Sequence, residues 1–141
     1  MPSITNLVSN DGPVIEASFT IPIQLEKKLQ DEGKILPTAT PIRALIDTGA
    51  SNCVIQKDIP IRLGLTPMDS IKITTPSCKD VDCYRYFLRM ILPGHRLMYE
   101  GVFTAAPLEG QNIQCLIGRD MLKDGILLYI GNINQFTWSL L

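Results

Sequence analysis

The sequence predicts a small all-β, barrel-like domain with one short helix near its C-terminus. Short runs that alternate apolar and polar residues recur at close spacing, as in barrels and sandwiches. Gly and Pro punctuate those runs at the places where turns are needed. One late segment alone, residues 118–125, "GRDMLKDG", has local helix character, with Gly125 as its stop.

Each element follows in order. Residues 13–23, "PVIEASFTIPI", alternate well enough for a strand, and Pro22 marks an edge or a strand end. Residues 24–41, "QLEKKLQDEGKILPTATP", are polar and rich in breakers, so they read as a loop or hairpin excursion. A single helical turn over Leu25 to Leu29 is the other reading of part of it. "IRALIDTGASNCVI", residues 42–55, reads as strand, turn, strand, with Gly49 supplying the turn. "KDIPIRLGL" is short and broken by Pro60 and Gly64. Residues 70–74, "SIKIT", and 84–92, "YRYFLRMIL", are strands around the turn-like "TPSCKDVDC". "MYEGVFTAA", 98–106, is another strand. The tail "ILLYIGNINQFTWSL" forms a last hairpin around Gly131-Asn132, with Phe136 and Trp138 on alternate positions and assigned to the core.

Composition sets the limits. The chain has 141 residues, the length of one ordinary domain, and shows neither repeat nor linker, so a single domain over residues 1–141 is expected. Hydrophobic residues make up 45% and charged ones 19%, which excludes a disordered chain. The 13 basic and 14 acidic residues nearly cancel, and no basic block interleaves with aromatics, so no nucleic-acid partner is expected. No apolar run reaches the ~18 residues of a membrane span, so no membrane partner is expected. Residues 1–10 lack a positive region followed by an apolar stretch, so no signal peptide is expected and the default address is cytoplasmic.

Cys53 and Cys115 sit in apolar runs and read as small core residues. Cys78 and Cys83 form a C-x4-C pair that could face each other across a hairpin tip, but free thiols are expected. His95 is the one histidine, and no second cysteine pair accompanies it, so neither a metal nor a cofactor is expected.

One residue contradicts the apolar pattern around it. In "RALIDTGASNCVI" Asp47 stands where a strand should be entering the core, and a buried carboxylate without a partner is costly. A second motif, "IQCLIGRDMLKDG", residues 113–125, lies about 70 residues further on. Together "ALIDTGASNCVI" and "LIGRDML" resemble the active-site loop and the supporting segment of the retropepsins. These are the single-lobed aspartic proteases of retroviruses and retrotransposons, with relatives in cellular and bacterial proteins. The resemblance covers roughly residues 13–141 and implies a closed acid-protease barrel.

It also implies a chemistry that can be argued independently. An amide is hydrolysed without metal or covalent intermediate if one carboxylate takes a proton from water while a second, protonated carboxyl hydrogen-bonds the carbonyl oxygen. Two carboxyls at about 3 Å cannot both ionise and share one proton, as aspartic proteases do. The chain has one D-T-G, and Asp120 lacks the Thr-Gly that would hold it on a matching loop. The economical arrangement is a two-fold homodimer in which each copy donates Asp47 as the catalytic acid. By resemblance, Thr48 stiffens the dyad across the dimer, and Ala50 and Ser51 continue the loop beneath the substrate. Gly49 permits a tight turn. Ile117, Gly118, Arg119 and Asp120 form the supporting motif, with Gly118 packed close behind the turn.

Departures from the family pattern are equally legible. In the retroviral enzymes the arginine equivalent to Arg119 pairs with an acid two residues after the turn glycine, where this chain has Ser51. Arg119 is therefore expected to bond Ser51, Asn52, a backbone carbonyl or an acid elsewhere, the alternative being a solvated arginine at the helix start. The segment matching the flap, residues 71–87, contains Pro76 and no glycine, and its tip is assigned to Thr74, Thr75, Pro76 and Ser77. Retroviral dimers interleave their terminal strands, whereas this chain ends in a hairpin. The expected function is an aspartic endopeptidase acting on an extended polypeptide. The alternative is a catalytically weak or inactive peptide-binding module on the same fold.

Overall fold

The computed structural model describes residues 2–73, 81–92, 94, 97–108 and 112–140. In chain order these form β1 (Ser3–Leu7), β2 (Val14–Thr20), α1 (Ile23–Asp31), β3 (Thr40–Ile46), β4 (Val54–Gln56) and α2 (Asp58–Arg62). There follow β5 (Asp69–Ile73), β6 (Val81–Ile91), β7 (Met98–Ala106), β8 (Cys115–Ile117), α3 (Arg119–Leu122), β9 (Gly125–Ile130) and β10 (Gln135–Leu140).

Alternation builds the barrel. Ile15, Ala17 and Phe19 on β2 point inward, as do Ile42, Ala44 and Ile46 on β3 and Leu88 and Met90 on β6. The antiparallel register Ala17↔Ile42 and Ile15↔Ala44 puts these side chains on one face. The strands run β2-β3-β8-β4-β7-β6, and β6 pairs back to β2 through Phe19↔Met90, which closes a six-stranded barrel. Closure removes the free edges that an open sheet would expose. Phe19 and Phe103 meet edge-on inside it, centroids 4.9 Å apart. β5 hangs on the outside of β6 as the first arm of a hairpin.

A second sheet, β1-β10-β9, is antiparallel throughout and covers one end of the core. Phe136 and Trp138 are fully buried in that core, as their alternation predicts. The strand β1 was not legible in the sequence; it pairs with β10 through Thr5↔Thr137 and a 2.8 Å hydroxyl contact between those residues.

One helix, α1, lies where the sequence reads chiefly as loop with a helical turn over Leu25 to Leu29 as the alternative, and another, α2, lies in the short segment broken by Pro60 and Gly64. Over residues 24–31 the charge-rich composition hides an amphipathic turn set. In α1, Leu25 and Leu29 lie one turn apart and pack against the core. Glu26 pairs with Arg89, and Glu100 accepts the Ile23 N–H at 2.9 Å, so β6 and β7 hold the helix in place. In α2, Pro60 falls in the first turn, where its missing N–H costs nothing, and Ile59 and Pro60 are buried. No helix among the described residues is long and apolar enough to cross a membrane.

Candidate active site

The loop that follows β3 owes its shape to a strand that arrives much later. β8 lies between β3 and β4, parallel to the first and antiparallel to the second. The two arms of the D-T-G loop are thus separated by one strand, and the Ile117 carbonyl accepts the Asp47 N–H at 2.9 Å. There the chain leaves the barrel wall. Asp47 is half-buried, not sunk in the core as the apolar run before it suggests, because β3 ends at Ile46 and the next residues turn toward solvent.

Within the loop, Asp47 Oδ1 accepts the Gly49 N–H at 2.9 Å, and the Asp47 carbonyl accepts the Ala50 N–H at 3.1 Å. This is an Asx turn, in which the side chain closes the backbone two residues on. Asp47 Oδ2 has no partner among the described residues. A Cβ at Gly49 would stand 3.2 Å from Oδ1, so the glycine keeps the carboxylate where the turn sets it. Thr48, Gly49 and Ser51 are exposed, and Ala50 is half-buried.

The supporting motif closes on this loop from behind. The Ala50 carbonyl accepts the Arg119 N–H at 2.8 Å, and the Thr48 carbonyl accepts Arg119 Nη1, also at 2.8 Å. Of the partners open to Arg119, a backbone carbonyl is thus the one it takes. Gly118 fits against the loop so closely that a Cβ would lie 2.6 Å from the Asn52 carbonyl carbon and oxygen and 3.0 Å from the Ala50 oxygen. Asp120 is no second acid in this chain. Its Oδ2 accepts the Cys53 N–H at 3.1 Å, and its Oδ1 accepts the Cys53 thiol at 3.1 Å and the Met121 N–H at 2.9 Å.

Cys53 is more than a small core residue. Its sulfur accepts the Gly118 N–H at 3.4 Å while its thiol donates to Asp120, so it joins the two motifs. Burial first, and then the Asp120 hydrogen bond, push the thiol up to about 12 from its ordinary 9.0. A raised value means that the fold holds the neutral thiol. This contribution to stability is present below about pH 9 and is lost as the pH rises toward 12. No sequence signal marked this contact, since its partners lie 67 positions apart. Replacing Asp120 with alanine would leave the Cys53 N–H and thiol without an acceptor. The expected result is a loss of about 1–3 kcal/mol in denaturant unfolding, with faster labelling of Cys53 by a thiol reagent.

The structure therefore brings Asp47, Thr48, Gly49, Ala50 and Ser51 together with Ile117, Gly118, Arg119 and Asp120. A cleft of about 250 Å³ opens over Gly49 to Asn52, walled by Val54, Ile71, Ile73 and Thr104. Ile71 and Ile73 belong to β5, which pairs with β6 up to Ile73↔Val81. The tip residues Thr74, Thr75, Pro76 and Ser77, like Cys78 and His95, lie outside the described residues. Cys83 is a buried free thiol, as are Cys53 and Cys115.

A closed barrel that presents one D-T-G carboxylate on a braced loop, next to a cleft walled by β5, defines the class of single-lobed acid-protease folds. The sequence profile of a family described as aspartyl proteases matches residues 32–127, and the chain belongs to that family. Its fold is similar to the crystal structure of a retropepsin-like aspartic protease from Rickettsia conorii. That similarity has a TM-score of 0.58 at 14% identity, covering 99% of this chain and 91% of the other. No curated protein sequence matches the chain.

Proposed function

We propose that the chain is an aspartic endopeptidase that acts as a homodimer on an extended polypeptide. Asp47 from each of two copies forms the dyad. One carboxylate takes a proton from the attacking water. The other, protonated, donates to the scissile carbonyl oxygen and stabilises the charge that develops there. The tetrahedral intermediate then collapses as the amide nitrogen gains a proton and the C–N bond breaks.

The observation that carries this reading is the Asp47 carboxylate itself. It is half-exposed on the loop whose next residues line a cleft, one oxygen fixed by the Gly49 N–H and the other free of partners among the described residues. A carboxylate that served only to cap the turn would gain nothing from the two-motif brace built behind it. Val54, Ile71 and Ile73 give the cleft aliphatic walls, which fits an apolar side chain flanking the cleaved bond.

The glycine-free sequence of residues 71–87 favours a second reading, a peptide-binding module without turnover, because a sequence without glycine has less backbone freedom to change conformation. A peptide-library digest from acid to near-neutral pH, with and without pepstatin, separates the two. Endopeptidase action predicts internal cleavage that pepstatin blocks. Binding of library peptides without any pepstatin-sensitive cleavage would establish the module instead.

A further inference from the structure

We propose that Thr104 is the specificity-determining residue of the cleft beside Asp47, and that its hydroxyl selects a neutral substrate side chain with a hydroxyl of its own, threonine before valine. The proposal rests on the reading that this cleft holds an extended polypeptide, and it names the side chain that the cleft takes.

Thr104 faces the cleft because of its place on β7. Its neighbours Phe103 and Ala105 belong to the core, so the alternation of the strand turns Thr104 to the other face. Parallel pairing sets it beside Val54, and both residues line the cleft. Thr104 is only 4% exposed, one of two buried polar residues among those described. Its backbone N–H goes to the Cys53 carbonyl at 3.0 Å, while its hydroxyl has no partner among the described residues. Buried hydroxyls are rarely left so. This one stands at a cavity where the neighbouring side chains, Val54, Ile71 and Ile73, offer hydrocarbon only.

The charge nearby is already cancelled. Arg85 is the cross-strand partner of Thr104 on β6, and Asp69 engages its guanidinium through Nε at 2.7 Å and again through Nη2. Among the described residues that line the cleft, none is charged. A carboxylate or ammonium brought there would lose water and meet no unpaired counter-charge. A purely aliphatic side chain would suit the walls, yet strip water from the Thr104 hydroxyl without replacing its hydrogen bond. A carboxamide would bring two polar ends to a single hydroxyl. Threonine divides as the cleft does, with its methyl against the isoleucines and its hydroxyl on Thr104. A site that hydrogen-bonds a substrate hydroxyl rejects the analogue lacking it, because the protein's own group is then left unpaired.

The test uses octapeptide pools, random except for one central position fixed as threonine, valine, aspartate or lysine. Cleavage is followed with the full wild-type chain, Thr104→Val and Thr104→Ser. Binding of the same pools is measured on Asp47→Asn, with and without Thr104→Val. Valine is isosteric with threonine and keeps the backbone N–H, so the strand is preserved. In wild type, the threonine pool is expected to be cleaved roughly tenfold faster than the valine pool at one position flanking the bond. Thr104→Val should erase that preference by raising the valine pool, Thr104→Ser should keep it, and the charged pools should stay slow throughout. Binding should follow the same order. An unchanged order in Thr104→Val would overturn the proposal, and so would a wild type that prefers valine or a charged side chain. An equal loss across all four pools would make Thr104 a structural residue only, which also overturns it. Pools that bind with a threonine preference abolished by Thr104→Val, but are never cleaved, uphold the proposal and remove the endopeptidase reading. Cleavage with a preference indifferent to Thr104 does the reverse, and neither binding nor cleavage of any pool overturns both.

Discussion

Replacing Asp47 with asparagine is expected to abolish peptide hydrolysis while leaving the fold intact. Asparagine is isosteric, and its amide oxygen can still accept the Gly49 N–H that Asp47 Oδ1 accepts at 2.9 Å. What it cannot do is take a proton from water. The rate should fall by roughly 10²–10⁴-fold or more, the range that positioned general acid–base catalysis supplies. Because the proposed dyad takes one acid from each copy, mixing offers a sharper test. An equal mixture of wild type and Asp47→Asn, allowed to exchange, should show roughly a quarter of the activity of the same total amount of wild type, since only like-with-like wild-type dimers keep two acids. Half the activity would mean that each chain works alone. Unchanged specific hydrolysis by pure Asp47→Asn would place the chemistry elsewhere.

Gly118→Ala should be the most damaging small change outside the acid. The added methyl would sit 2.6 Å from the Asn52 carbonyl carbon and oxygen. Those are backbone atoms, so no side chain can rotate away, and either the loop or β8 must shift. Overpacking of this kind costs about 1–3 kcal/mol. The shift also falls on the Ala50 carbonyl, which accepts the Arg119 N–H, so the loop that carries Asp47 should lose its setting as well as its stability. Denaturant unfolding and kcat should therefore fall together. Gly131→Ala, where a Cβ meets only ordinary contact at 3.7 Å, should change stability by less than about 0.5 kcal/mol. Equal effects at the two glycines would contradict the close approach at Gly118.

The sequence made the barrel legible where burial alternates strictly. Ile42, Ala44 and Ile46, or Phe136 and Trp138, announce their inward face through period-two spacing. Elements held by tertiary partners were harder to read. In α1 no residue is fully buried, and its place depends on Arg89 and Glu100, which are distant in sequence. β1 is short and polar on one face, and its pairing with β10 spans the whole chain. At the candidate site the two motifs were visible as strings, and their spacing implied that they meet. The partner of Arg119 and the thiol link between Cys53 and Asp120 are contacts between chain segments that no local pattern specifies. The setting of Asp47 was hidden for the same reason, because the bond that ends its strand comes from Ile117.

That last contact bears on the order in which the candidate site can form. β8, which spans Cys115–Ile117, fills the gap between the arms of the acid's loop, so the loop is not a hairpin that can form by itself. Non-local pairing of this kind forms late, after the entropy of closing a long loop has been overcome. A chain ending before Cys115 would contain Asp47, Thr48 and Gly49 and the local bonds of their turn, yet none of the bonds that Ile117 and Arg119 make to them. The setting of Asp47 is thereby postponed until β8 has been made and paired, and the topology itself acts as a timer on the acid's loop.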